Sequence, residues 1–211
     1  MSVYGRIFAA AYDTLMKGAE EATLRAHRAA LLARASGRVL EIGGGTGANL
    51  PFYGPAVSEL VSTEPEEPMA RRLERKLRDH QLPARVVRAP AEALPFEDAS
   101  FDFAVSTLVL CTVEDPGRAL SEIRRVLKPE GELLFLEHVR SDEPKLARWQ
   151  DRLQPLQYRV GHGCHCNRAT LDNIAASGFT VAEVERDTLE KAPPIVRPLI
   201  VGAAVASLAP R

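Results

Sequence analysis

Short apolar runs alternate with amphipathic stretches along most of the chain. Three stretches repeat apolar residues at helical spacing and predict helices over residues 20–35, 66–79 and 116–127. Because strands and helices alternate through five units, we expect a doubly wound α/β fold with a mostly parallel sheet. The apolar runs predict seven strands, over residues 38–42, 59–63, 84–88, 101–106, 132–139, 179–185 and 195–206.

The segments between these elements carry weaker patterns. Residues 4–12, 46–53 and 168–177 favour further helices. Residues 128–131 predict a turn, with proline in its second position and glycine in its fourth. Residues 143–166 are the least regular and predict one helix followed by a loop rich in glycine, histidine and cysteine. The last two strands are expected to pair as a hairpin with a long connection.

Length and charge narrow the class of protein. The 211 residues suit a single domain, with a core over residues 37–211, an insertion over residues 143–166, and N-terminal helices over residues 1–36 that form part of a lid. With 27 basic and 28 acidic residues there is no electrostatic footprint for nucleic acid. Three cysteines and no signal-peptide layout predict a cytoplasmic protein. Residues 195–208 are too short to span a bilayer, so no integral membrane segment is expected.

A glycine-rich turn follows the first predicted strand, where residues 39–49 read Val-Leu-Glu-Ile-Gly-Gly-Gly-Thr-Gly-Ala-Asn. Glycines permit tight turns and close approach of a ligand, and such turns bind cofactors in open α/β sheets. The spacing fits a dinucleotide, as in an NAD-dependent oxidoreductase, or S-adenosylmethionine. Glu41 favours the second, because a carboxylate suits the ammonium and sulfonium of that molecule and opposes a pyrophosphate. A protein that only binds S-adenosylmethionine is a further alternative. The candidate contacts of the turn are Glu41, Gly43, Gly44, Gly45 and Asn49.

Further candidate cofactor residues follow the next strands. Glu64 ends the second strand, where its carboxylate can accept hydrogen bonds from ribose hydroxyls. Residues 91–93 would border the adenine, and Thr107 would lie beneath the reacting methyl group. Tyr12 could cap the sulfonium by a cation–π contact. This second set consists of Tyr12, Glu64, Pro65, Met69, Ala91, Glu92, Ala93, Thr107 and Leu108.

Histidines and cysteines offer candidates for chemistry. Residues 162–166 read His-Gly-Cys-His-Cys, and all of their side chains suit zinc. They crowd into five positions with no second cluster to complete a tetrahedral site, so we expect no metal. The alternatives are a loop over the substrate pocket, with His165 touching the acceptor, and a purely structural loop. His138, at the end of the fifth strand, is a second candidate for taking a proton, with a structural role equally open.

The chain resembles class I S-adenosylmethionine-dependent methyltransferases of the small-molecule, type 11 branch over nearly its full length. The resemblance is carried by residues 39–47, 91–96, 100–102 and 126–131. It implies a Rossmann-like, three-layer α/β/α fold whose seven-stranded, mostly parallel sheet has an antiparallel last strand. It also implies S-adenosylmethionine as methyl donor, S-adenosylhomocysteine as product, and a small-molecule acceptor.

A closer resemblance is to the methyltransferase-like alkyl thiol methyltransferases and their bacterial relatives. It is carried by residues 45–49, 107–113 and 137–139, and by Gly163-Cys164 followed by Arg168. It implies a thiol acceptor, with quinones, phenols and phospholipid head groups as alternatives. The animal members begin with a membrane-anchoring segment that this sequence does not show, so membrane association is not expected.

Two positions depart from the family pattern. Glu64 stands where an aspartate is common, which keeps the acid at the end of the second strand. Glu130 replaces a glycine in the turn over residues 128–131. A type I turn tolerates that replacement, so we expect this turn to be of type I.

Overall fold

The computed structural model describes residues 3–80 and 82–206, and residues 3–10 as backbone only. The helices are α1 (Val3–Ala19), α2 (Arg25–Leu32), α3 (Glu67–Arg78), α4 (Pro116–Val126), α5 (Pro144–Val160) and α6 (Thr170–Ala176). The strands are β1 (Gly37–Ile42), β2 (Val57–Thr63), β3 (Ala84–Val87), β4 (Phe101–Thr107), β5 (Leu127–His138), β6 (Phe179–Thr188) and β7 (Pro198–Ala206). Across these two ranges, none of the helices has the length and apolar character needed to cross a membrane.

The strands form one seven-stranded sheet in the order β3-β2-β1-β4-β5-β7-β6. The strands β1 to β5 are mutually parallel, while β7 is antiparallel to both β5 and β6. The predicted fold class, including the antiparallel last strand, is therefore confirmed. The chain reverses its direction of travel across the sheet between β1 and β4, and open α/β sheets bind ligands at such a switch point, beyond the carboxyl ends of the strands.

Alternating side chains of the central strands fill two apolar layers. In β1, Leu40 packs with Phe101 and Ile123 on the face covered by α4, while Val39 packs with Leu32 and Leu73 on the opposite face. All six side chains are fully buried. A sheet whose central strand is apolar on both sides must be covered on both faces, which gives the three layers.

The two predicted N-terminal helices are one continuous helical segment. The π-helical turn Glu20–Leu24 joins α1 to α2, and its flanking residues keep right-handed helical dihedrals. The predicted break after residue 12 is wrong. Lys17-Gly18 is typical of a helix end, but a glycine inside a helix costs only about 1 kcal/mol. Burial of Ala19 and Leu24 in the core favours continuation of the helix.

The predicted helix over residues 46–53 is also wrong. The segment is a series of turns that ends in a short 3-10 helix, Leu50–Phe52. Gly47 has φ of 82°, outside the right-handed helical region. Pro51 in addition has no N–H to donate, so an α-helix could not pass through this segment unbroken.

The turn over residues 128–131 lies in the first part of β5 and differs from the expected type I turn. Glu130 has φ of 64°, in the left-handed region that favours glycine. A turn with proline second and a left-handed third residue is of type II, in which glycine is strongly preferred at the third position. The departure from the family pattern therefore places a strained residue at the start of β5.

Candidate active site

A cavity of about 960 Å³ opens at the edge of the sheet formed by the carboxyl ends of β1 to β5. The loops that follow these five strands form its floor and one side. Helix α1, the end of α5 and the β6–β7 connection form the remaining walls. Cavities of roughly 300–1,000 Å³ are typical of sites for cofactors and small molecules.

The glycine turn after β1 borders this cavity through Gly43 and Gly45, which have φ of 59° and 55°. A Cβ on Gly43 would lie 2.7 Å from the side chain of Val109, so only glycine fits there. Gly44 faces away from the cavity, where a Cβ would collide with the hydroxyl of Ser62 at 2.0 Å. The turn thus presents bare backbone to the cavity and packs its middle glycine against β2.

Glu64 fixes the position of the glycine turn and borders the cavity. One carboxylate oxygen accepts a hydrogen bond from the N–H of Gly45 (2.8 Å), and the other accepts from the N–H of Glu66 (2.9 Å). Burial raises the pKa of Glu64, while these two backbone donors oppose the rise. Each carboxylate oxygen can accept a second hydrogen bond, so Glu64 keeps capacity for a donor inside the cavity.

A buried polar network lies beneath the turn. The carboxylate of Glu41 accepts from the side-chain amide of Asn49 and from the hydroxyl of Ser62, each at 2.7 Å. The guanidinium of Arg28 donates to the side-chain oxygens of Asn49 and Thr107. Burial raises the pKa of Glu41, and the hydrogen bonds and the positive charge of Arg28 oppose that rise.

This network changes the expected part played by Glu41. Its carboxylate is turned away from the cavity and does not border it. From this position Glu41 positions the turn through Asn49 and Ser62, and any attraction to a cofactor cation acts across the intervening backbone.

The loop after β4 is held from below by a buried carboxylate. Glu137, at the end of β5, accepts hydrogen bonds from the N–H groups of Val109 and Leu110, both at 3.0 Å, and from the hydroxyl of Ser106 at 2.7 Å. Leu108 has φ of 61°, and strained backbone of this kind concentrates at ligand sites. Thr107 and Leu108 both border the cavity, as does Val109.

His138 borders the cavity from the last position of β5. Burial lowers its pKa to about 4, and a backbone hydrogen bond with Val196 only partly offsets the effect. Its Nδ1 atom is buried without a hydrogen-bond partner. The imidazole is therefore neutral at pH 7, and its affinity for a proton is low.

The His-Gly-Cys-His-Cys loop does not act as a unit. His162 and Cys164 border the cavity, whereas His165 and Cys166 do not. His165 is hydrogen bonded through Nδ1 to the side chain of Gln154 at 2.8 Å and packs edge-on against Tyr158. Within the described ranges, no group of three histidine, cysteine or acidic side chains is placed to hold a metal ion.

Most of the candidate cofactor residues meet at the cavity, and three do not. Glu41, Gly44 and Asn49 lie behind the glycine turn. The candidates that border the cavity are Tyr12, Gly43, Gly45, Glu64, Pro65, Met69, Ala91, Glu92, Ala93, Thr107 and Leu108. Contact of these residues with a cofactor stays a prediction.

Three groups of residues were missed by the sequence analysis: Arg28, the cysteines Cys111 and Cys164 as a pair, and the segment 189–196 of the β6–β7 connection. The sequence does carry a signal for Arg28, because this residue lies at helical spacing from the buried Leu24 and Leu32 in the predicted helix over residues 20–35. The other two groups depend on contacts between distant parts of the chain, for which the sequence offers no local signal.

Comparisons with known proteins agree with this geometry. A family model described as a methyltransferase domain matches residues 40–135. Over 184 residues the chain is 37% identical to the thiol S-methyltransferase TMT1B of Homo sapiens, covering 82% of this chain and 73% of that protein. It is 32% identical over 171 residues to the thiol S-methyltransferase TMT1A of Homo sapiens, covering 79% and 70%.

A solved structure extends the comparison to the fold. It is a SAM-dependent methyltransferase from Thermotoga maritima, described as a possible histamine N-methyltransferase. The two structures align with a TM-score of 0.71 and 25% identity, covering 96% of this chain and 98% of the other. The similarity therefore includes the N-terminal helices and the last strands, as well as the central sheet.

Proposed function

The chain belongs to the S-adenosylmethionine-dependent methyltransferase family, and on that premise we propose that its acceptor is a small thiol, which it methylates on sulfur. The observation that supports a thiol as the acceptor is the similarity, over most of both chains, to two thiol S-methyltransferases. When bound, the cofactor supplies a methyl group attached to a sulfonium. The acceptor attacks the methyl carbon in line with the carbon–sulfur bond, and S-adenosylhomocysteine leaves.

The residues around the cavity fit such a cofactor. Gly43 and Gly45 allow close approach of a ligand to backbone, and a Cβ at Gly45 would have the carbonyl oxygen of Gly43, at 3.9 Å, as its nearest contact. Glu64 offers carboxylate oxygens where a ribose would lie above the turn. The small residues Ala91 and Ala93 leave room for a flat ring beyond the end of β3.

The rest of the cavity suits a small, partly apolar acceptor. Leu108, Val109, Leu189 and Val196 border it together with the thiol of Cys164. Such a surface favours an apolar body by removing it from water. The protein's main contribution is then to hold the acceptor in line with the methyl group, since positioning alone accounts for a large share of rate enhancement.

The state of His138 favours a thiol over weaker acids. A thiol as acidic as that of cysteine has a pKa of about 8.5, so a useful fraction ionises near neutrality without an enzyme base, whereas a phenol at about 10 ionises far less. A base with a pKa near 4 removes such protons poorly, because general bases work best with a pKa near the working pH. An acceptor that ionises by itself matches this site.

The proposal is tested with acceptors that differ in one atom. Thiophenol and phenol share a ring, so methyl transfer from labelled S-adenosylmethionine to both compares sulfur with oxygen in the same pocket. We expect methylation of thiophenol and of alkane thiols, with kcat/KM rising with pH along the ionisation of each thiol. An enzyme base would instead produce the same pH profile for every acceptor.

Three outcomes would contradict the proposal. If a phenol, an amine or a quinol were methylated as fast as thiophenol, the methylated atom would not be specifically sulfur. Binding of S-adenosylmethionine with no thiol methylated would favour a protein that only binds the cofactor. A loss of activity greater than about 100-fold in His138→Gln, with the fold intact, would make His138 the base that the proposal does not require.

A further inference from the structure

Two free cysteines meet at the cavity although 53 positions separate them in the chain. Cys111 lies in the loop after β4 and Cys164 in the loop after α5, and both border the cavity. Their Sγ atoms are 3.8 Å apart. A disulfide needs about 2.05 Å between the sulfurs, so the two atoms are already in contact and must approach by less than about 2 Å to bond.

The backbones that carry the two thiols are already tied together. The N–H of His165 donates to the carbonyl oxygen of Cys111 at 2.8 Å. The guanidinium of Arg168 donates to the carbonyl oxygens of Leu110 and Val113, at 2.6 and 2.8 Å. These bonds connect the two loops next to the sulfurs, so they hold the two cysteines beside each other in the reduced protein.

The surroundings of the pair favour reaction at Cys164. Its Sγ atom is near enough to Gln157 for a hydrogen bond, and the positive charge of Arg168 acts on both thiols. The hydrogen bond shared by the two thiols and the one with Gln157 lower the pKa of Cys164, while the same shared hydrogen bond and burial raise the pKa of Cys111. A thiol with more thiolate character, on a cavity wall, is the one that an entering oxidant meets first.

We propose that Cys111 and Cys164 form a dithiol modification site that a peroxide converts to a disulfide, which impairs methyl transfer. The thiolate of Cys164 attacks one peroxide oxygen, forming a sulfenic acid and releasing one water or alcohol. The thiol of Cys111 then attacks that sulfur, forming the disulfide and releasing water. Two thiols lose two electrons and two protons in total, and the peroxide is reduced.

The disulfide acts on the part of the cavity assigned to the acceptor. It draws the loop after α5 against the loop that begins at Leu108. It also replaces the two separate thiols on the cavity wall with one disulfide. Gly43, Gly45 and Glu64 lie in loops that the cross-link does not join, and the one neighbour they share with it is Val109, which packs against Gly43. Oxidation therefore reduces acceptor turnover and leaves cofactor affinity largely intact.

The test uses the full chain, reduced and then exposed to hydrogen peroxide in the absence of acceptor. Intact mass and non-reducing peptide mapping should show loss of two hydrogens and one Cys111–Cys164 link. Initial methyl transfer should fall at least about tenfold and recover after reduction, while the affinity for S-adenosylhomocysteine should change less than about threefold.

The third cysteine offers a matched control. Cys166 is buried outside the cavity, with its Sγ atom 3.9 Å from the carbonyl oxygen of Gln150. Cys166→Ser should keep the disulfide and the full sensitivity to peroxide, whereas Cys111→Ser and Cys164→Ser should each abolish the link. For each variant the treated rate is divided by its own untreated rate, so a lower basal activity does not affect the reading.

Several results would overturn the proposal: no link between the two cysteines at full oxidant exposure, a link that involves Cys166, or a link that leaves the rate unchanged. The mass measurement needs no acceptor and does not depend on the thiol proposal. If no thiol is methylated by the reduced protein while the link still forms, the proposed acceptor fails and the modification site stands.

Discussion

Glu64 combines two tasks in one carboxylate at the residue scale. It holds the glycine turn through the N–H of Gly45 and borders the cavity where a ribose would lie. We expect Glu64→Ala to weaken binding of S-adenosylhomocysteine by about 1.5 kcal/mol or more, more than tenfold, as for loss of hydrogen bonds to a charged group. Isothermal titration calorimetry measures the change directly.

The control for that variant is a neighbouring acid. Glu67 lies three positions further on and pairs with Arg71 and Arg88, away from the cavity. Glu67→Ala should bind S-adenosylhomocysteine with nearly unchanged affinity. If Glu64→Ala did the same, Glu64 would have no part in holding the cofactor.

His138 makes the stability of the fold depend on pH. Its folded pKa is about 4, below the unfolded value of 6.5, so the unfolded chain binds a proton first as pH falls. The stability contributed by the neutral ring is present above pH 6.5 and is lost as pH falls through 4. The loss is about 3 kcal/mol, since each pKa unit corresponds to about 1.4 kcal/mol.

Urea unfolding between pH 7 and pH 4 measures this dependence. The difference between the protein and His138→Gln isolates the histidine, because the raised pKa values of Glu41 and Glu137 act in the opposite direction in both chains. The gap between the two free energies of unfolding should narrow as pH falls. A gap that stays constant over this range would mean that His138 titrates near its ordinary pKa in the folded protein.

At the scale of elements, the turn over residues 128–131 at the start of β5 contains backbone strain that a substitution could remove. Glu130 is exposed and has φ of 64°, where an L side chain costs roughly 1–2 kcal/mol. Glu130→Gly should raise the free energy of unfolding by about 1 kcal/mol, measured by chemical denaturation, because glycine adopts this backbone without the clash.

Glu130→Ala separates backbone strain from charge in that turn. Alanine removes the carboxylate and keeps the Cβ, so we expect little gain in stability. Equal stabilisation by alanine and glycine would assign the effect to the charge instead of the left-handed backbone.

At the scale of the whole molecule, hydrophobic periodicity predicted the sheet, because the central strands β1, β4 and β5 each bury a largely apolar run. It predicted most of the cavity for the same reason, since residues that end parallel strands share one edge. It could not find the pair Cys111 and Cys164, which only the packing of distant loops brings together. It also missed Arg28, because the pattern treats a charge inside an apolar stripe as a surface residue. The type of the turn at Glu130 depends on the backbone dihedral angles of that one residue, and hydrophobic periodicity contains no information about them.

Because α1 forms one wall of the cavity, ligand binding is coupled to the docking of this N-terminal helix. A molecule that fills the cavity touches Tyr12, Leu15 and Met16, so binding and docking of this helix favour each other by the same free energy. We therefore expect this helix to be undocked for longer when the methyl donor is scarce, with its backbone more open to proteases. On that expectation, the lifetime of the enzyme would depend on the supply of the molecule that it consumes.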